Sequence, residues 1–227
     1  MARTLDRAAH ALRREAFADA ALRLIQTEGY EQMSVQEVLD ELGASRGAFY
    51  HYFDSKAALL DAAIERLVDL VTDALMPEVE DPALSAPEKL RRVFSGLARW
   101  KEDRDDLMRR LLPVWVSDEN ALTREKWRRY ASARLVPMLA PVIRQGNAEG
   151  TLSTGPEEPA AAVLLALLLA ANDAACRLFV ARHQGSVSFQ EVEGTFAAYN
   201  QAAERMLGLP PGSWPALDAD ILQSWFG

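Results

Sequence analysis

A single cysteine in 227 residues rules out an internal disulfide, so Cys176 fits a reducing compartment. Histidine is scarce too: His10, His51 and His183 stand far apart along the chain and form no metal-ligand spacing. There is no phosphate-cradling glycine loop and no nucleophile elbow. These absences predict a protein that is not an enzyme and carries no metal or other cofactor. No run of alternating β-branched residues offers itself as a strand, and no internal repeat is present. Arg and Asp interrupt any signal-like apolar stretch at the N-terminus. The longest apolar run, Ala160 to Ala171, falls short of the roughly 20 residues that a bilayer span needs. The expectation is a soluble, cytoplasmic protein with no membrane partner. Basic charge is also lacking, since 25 Lys and Arg face 33 Asp and Glu for a net −8, which argues against a broadly cationic surface.

What is present is helical periodicity. Hydrophobic residues make up 49% of the chain, ample for a core. From Leu12 they recur at Ala16/Phe17, Ala20/Ala21 and Leu24/Ile25, the three-and-four spacing of one buried helix face, and Gly29 ends the run. Ser34 opens the next helix with Glu37 three residues on, a capping box flanked by the Met33/Val38 staple. Gly43 suits a tight turn, and Ser45 caps a helix whose Phe49 and Phe53 share a face. A longer helix starts at Asp54 or Ser55 and should stop at Pro77. Further helices are predicted near 86–103, 105–117, 120–148, 158–183 and 188–207, the third of these kinked by Pro137 and Pro141. The last twenty residues, with Trp214, Trp225 and Phe226 among prolines, read as a tail that docks on the body.

Two short helices around a tight turn can place the second in the DNA major groove, N-terminal residues toward the base edges. Here those residues are Arg46 and Gly47. Arginine offers two donors to guanine O6 and N7, worth about 1–3 kcal/mol of discrimination; Gly47 lets the backbone come close. Tyr50 and Tyr52 carry hydroxyls for phosphate oxygens, with His51 between them. Lys56 and Ser34 stand at helix starts, where free backbone N–H groups favour an anion. Any one aromatic here could be plain core, and Phe49 and Phe53 are. The set Arg46, Tyr50, His51, Tyr52 and Lys56 has no packing reason to share one exposed side.

Charge is an objection. Residues 1–56 hold seven Lys and Arg against nine Asp and Glu. Arg3, Arg7, Arg13 and Arg14 nevertheless cluster before and at the first helix, while Glu28, Glu31, Asp40 and Glu41 fall at helix ends. A small, local footprint with a shallow salt dependence is expected.

These residues resemble the TetR family of bacterial transcriptional regulators. The resemblance runs over roughly residues 10–60, through Ala20 to Tyr30, Ser34-Val35 with Val38, Gly43 to Tyr50, Tyr52-Phe53, and Ser55-Lys56 with Leu59. Leu39 and Ala44, where the family more often has alanine and valine, are packing positions. The resemblance implies an all-α, two-domain homodimer that represses transcription from a palindromic operator on double-stranded DNA and lets go when a small molecule binds. In that pattern Tyr50, Tyr52 and Lys56 hold phosphates, while Arg46, Gly47 and Gln36 read bases. The implied organisation is a helix-turn-helix domain over 1–54, a connecting helix over 55–76, a ligand-binding and dimerisation domain over 77–207, and a tail over 208–227.

Beyond residue 76 the residues must speak for themselves. An all-round apolar helix has to be surrounded by protein. Leu164, Leu165 and Leu168, with Val192, Phe196 and Tyr199 of the next helix, suit a four-helix dimer interface, with an intrachain core as the alternative. Trp100, Met108, Trp115, Trp127, Tyr130, Met138 and Phe179, interleaved with Arg104, Arg134, Asn172, Asp173 and Cys176, are candidates for a small-molecule pocket for an apolar or amphipathic effector, or again for core. Asn172 and Asp173 need partners after so long an apolar run, and a ligand, a cross-dimer hydrogen bond or solvent would each serve. Competing functions are a transcriptional activator, a nucleoid-type DNA binder, and a helical partner- or ligand-binding protein whose helix-turn-helix has lost its role.

Overall fold

The computed structural model describes residues 2–214 and 219–227, with the side chains of residues 2–8 and 219–221 outside that description. Arg3 and Arg7 of the anticipated basic cluster, and the middle of the tail, therefore lie outside the described residues. Among the described residues all regular structure is helical: α1 Ala2–Glu28, α2 Val35–Leu42, α3 Arg46–Tyr50, α4 Lys56–Glu80, α5 Ala86–Glu102, α6 Asp105–Val116, α7 Ala121–Glu149, α8 Glu157–His183, α9 Phe189–Leu207 and α10 Ala219–Phe226, with a 3-10 turn at Asp118–Asn120.

The chain forms two units. The first comprises the chain up to Leu70 together with Arg104–Tyr130; the second comprises Val71–Asp103 and the chain from Ala131 onward. The sequence reading grouped 104–130 with 77–207. The structure places it with the N-terminal helices because the apolar face of α6 is spent there. Leu107 and Val114 are buried in the same cluster as Phe17, Ile25, Phe49 and Leu59, with Met108, Leu111, Trp115 and Trp127 packed against it. The Trp115 and Trp127 rings meet edge to face at 4.7 Å. Polar ties hold the unit together at its rim: Arg66 Nε donates to Asp19 at 2.9 Å, Arg14 to Glu65 at 2.9 Å, and the Tyr130 hydroxyl to Asp69 at 2.8 Å.

The second unit is built on Leu90, Leu139, Ile143, Leu164 and Leu207, all fully buried. Trp214 joins this core with its ring 4.9 Å from Phe94, and Phe226 joins a smaller cluster with Val192 and Phe196. Both ends of the tail thus dock, and its last eight helical residues form α10, which the proline-rich sequence concealed.

Three expectations change. Pro77 does not stop α4, which continues to Glu80. Proline forfeits the bond to the carbonyl four residues back, here that of exposed Asp73, which solvent can satisfy. Leu164, Leu165, Val192 and Phe196, expected at a dimer interface, are instead 0–4% exposed within the single chain and have no surface left for a partner. Finally, α8 outruns the run Ala160–Ala171. Its 27 residues include a window of mean hydropathy 1.9, long and apolar enough on length and composition to cross a membrane.

Candidate nucleic-acid interface

The helix-turn-helix is specified locally. Ser34 caps α2 in extended conformation, its hydroxyl accepting from Glu37 N, while the Glu37 carboxylate accepts from Ser34 N at 2.7 Å. This capping box holds the Glu37 carboxyl below the usual glutamate range, first through the Ser34 hydroxyl and then through its backbone N–H. Met33 and Val38 are buried beneath it as the staple requires. Gly43 closes α2 in the left-handed region, φ 55° and ψ 35°, where an L side chain is disfavoured. Ser45 then caps α3 by accepting from Ala48 N at 3.2 Å.

This short path divides the side chains of α3 by face. Phe49 is fully buried, its ring 5.8 Å from Phe17 and 5.5 Å from Phe53. Arg46, Gly47, Tyr50 and His51 are exposed, Tyr50 at 56%. Arg46 reaches Gln36 of α2, its guanidinium 3.5 Å from Oε1, and Gln36 in turn donates to Asp40 at 2.8 Å. The two base-reading candidates from different helices therefore stand together. At Gly47 the nearest atom to an added Cβ would be Ser45 Oγ at 3.9 Å, so glycine here keeps the surface low and is not demanded by the fold.

Tyr52 is half-buried and leans on Phe17, with ring centroids 5.7 Å apart. Lys56 begins α4 but its ammonium is anchored, donating to the Glu31 carbonyl at 3.1 Å and lying 4.4 Å from the centre of the Tyr30 ring. One residue escaped the sequence reading. His10, thought distant from His51, lies 5.6 Å from it ring to ring and stacks on Tyr52 at 4.6 Å. No local signal marks it: His10 lies two helical turns before Phe17 on α1, and its place here depends on how α1 crosses the aromatic group. Among the cations of α1, Arg14 is paired with Glu65 and Arg23 with Glu41.

Residues 17–63 match the profile described as "Bacterial regulatory proteins, tetR family", the span that carries this turn and its aromatic floor. Over that span the chain is similar to the TetR family. HTH-type transcriptional regulator YerO of Bacillus subtilis is 31% identical over 110 residues, 48% of this chain and 38% of YerO. The chain spans less than half the length of that relative. Among solved structures, the reduced form of Escherichia coli NemR superposes with a TM-score of 0.54 at 22% identity, covering 87% of this chain and 98% of NemR. Bacillus subtilis FadR in complex with stearoyl-CoA superposes with a TM-score of 0.56 at 19% identity, covering 75% and 88%. At those identities the likeness is one of fold, and it extends well past the helix-turn-helix.

The pocket candidates divide between the units. Arg104, Met108, Trp115, Trp127 and Tyr130 belong to the first; Trp100, Arg134, Met138, Asn172, Asp173 and Cys176 belong to the second. Arg134 is exposed and does not line an interior, whereas Met138 is buried in the second core with Trp100 at its edge. Asn172 has a partner that the sequence reading did not name, the ammonium of Lys101, at 2.6 Å.

Proposed function

We propose that the protein is a ligand-responsive, sequence-specific transcriptional repressor, working in the cytoplasm as a homodimer on a palindromic operator and released by a small apolar or amphipathic effector. No catalytic role is assigned to it. The observation that carries the reading is the division of α3, with Phe49 sealed in the core while Arg46, Gly47 and Tyr50 face outward beside Gln36. In this reading Arg46 and Gln36 address bases, and Tyr50, Ser34, His51 and the half-buried Tyr52 address phosphates, with Lys56 fixing the start of α4.

Dimerisation is assigned to a face different from the leucines first named. Ala162, Val163, Ala166 and Ala170 of α8 are exposed, as are Gly194, Ala197 and Ala198 of α9, with Leu168 and Tyr199 half-exposed beside them. Such small side chains allow close helix approach. A second copy suits this face better than lipid, because exposed Gln190, Glu193 and Gln201 share α9 with it. α4 runs without interruption from Lys56 to Glu80 and supplies the two-state element that effector and operator bias in opposite directions, with a coupling of about 1–3 kcal/mol.

Sheared genomic DNA captured by the purified protein and sequenced tests the reading, with the Arg46→Ala/Tyr50→Ala variant as control. Enrichment of a short palindrome that the variant loses is the expected result. Equal capture by both proteins at low salt would reject sequence-specific regulation.

A further inference from the structure

A glutamine amide can offer an acceptor at one end and a donor at the other, and its neighbours decide which end points where. Gln36 has two neighbours of fixed polarity. The Arg46 guanidinium has donors only, so the amide oxygen must face it, and Arg46 Nη2 stands 3.5 Å from Gln36 Oε1. The Asp40 carboxylate, one turn along α2, is an acceptor, and Gln36 Nε2 donates to its Oδ1 at 2.8 Å. One orientation satisfies both partners, so the amide is set by chemistry from two sides. Its oxygen lies on the side of α3, and its nitrogen is turned back along α2. The other two carboxylates of α2 are occupied elsewhere: Glu37 closes the capping box on Ser34, and Glu41 accepts from Arg23 Nε at 2.6 Å. Gln36, Asp40 and Arg46 are all exposed.

The consequence falls on the base edges. An unconstrained glutamine makes two bonds to adenine, accepting from N6 and donating to N7. With its nitrogen drawn toward Asp40, Gln36 offers the bases the remaining lone pair of Oε1. In the major groove that lone pair meets a donor on adenine N6 or cytosine N4, whereas guanine O6 and thymine O4 would oppose it oxygen to oxygen. We infer that Asp40 is a specificity-determining residue. It touches no base; it positions Gln36 as an acceptor that selects amino-bearing bases beside the guanine addressed by Arg46. A carboxylate this close to the phosphates also opposes the DNA charge, so Asp40 adds selectivity while weakening the hold on DNA in general. The inference rests on the base-reading role proposed above for Arg46 and Gln36 and deepens it.

The test selects bound duplexes from a randomised DNA pool and sequences them, using the full-length wild type and its Gln36→Ala, Asp40→Ala, Asp40→Asn and Arg46→Ala variants. The position read by Gln36 is the one that Gln36→Ala flattens. In the wild type that position should admit adenine and cytosine on the contacted strand and disfavour guanine and thymine about five- to a hundredfold. Asp40→Ala should abolish this two-base pattern. The guanine that Arg46→Ala removes should still be selected, and affinity for random duplex should be unchanged or higher. Asp40→Asn should keep the pattern, because its Oδ1 also accepts a hydrogen bond, an outcome that a role through charge alone does not give. The inference is overturned if Asp40→Ala leaves the position as it was, or if the wild type selects adenine alone there. It is equally overturned if a palindrome is selected and Gln36→Ala flattens no position in it. Absence of any selected motif from the wild type at low salt would reject the regulator reading itself, and this inference with it.

Discussion

Glu37 shows how one side chain sets up the reading head. Its carboxylate accepts two hydrogen bonds from Ser34, one from the hydroxyl and one from the backbone, at the first turn of α2. Because its pKa in the folded protein is depressed, its contribution is fully present above the ordinary glutamate value and is lost as pH falls through the depressed one. Replacing Glu37 by Ala should therefore lower Tm at neutral pH, and the gap to wild type should close on acidification. Parallel melts across that range check it; a gap independent of pH would mean that the box is not the source. Gly43 acts by a different route. A Cβ there would meet nothing within 4 Å, so a substitution would be opposed by the left-handed φ alone, about 1–2 kcal/mol. Both residues were legible in the sequence because their effects are local. His10 was not, since its place beside His51 and Tyr52 depends on how α1 crosses α3.

Among the elements, α8 is the least resolved by its own residues. Apolar on nearly every side, it offers no periodicity by which to choose an inner face. Packing against the rest of the second unit makes the choice, burying Ala161, Leu164 and Leu165 and leaving Ala162, Val163 and Ala166 outside. Ala166→Glu should consequently yield a folded monomer, with helicity unchanged and molar mass by light scattering reduced by half. Leu164→Ala should behave oppositely, losing about 2–5 kcal/mol of stability with the oligomeric state retained. A dimeric Ala166→Glu protein would remove this face from the interface. α6 carries the complementary lesson. Its apolar stripe was plain, yet nothing in residues 105–116 says that Leu107 and Val114 belong with Phe17 and Phe49.

At the scale of the molecule, a net charge of −8 limits how DNA can be held. Arg14 and Arg23 are already paired, and Tyr50 and Tyr52 are neutral donors. Few phosphates are then neutralised, and each contributes about −0.9 to the slope of log K against log salt. Operator affinity measured between low and physiological salt should show a slope corresponding to about two phosphates per protomer. A slope several times steeper would require a wider cationic footprint than the described residues provide.

The sequence by itself determined the positions of α1 to α9, the caps, the turn at Gly43 and the face of α3 that carries Arg46 and Tyr50, because each rests on interactions within a few residues. Hydrogen-bonded caps, a positive φ and i, i+4 faces have a fixed reach along the chain. Tertiary structure alone decided which apolar surfaces face each other. It seated Trp214 against Phe94, turned Leu164 inward and Val163 outward, and brought Lys101 to Asn172 across 71 positions of sequence. Hydrophobic burial is proportional to area and has no direction, so it does not say in advance which of many apolar faces will meet.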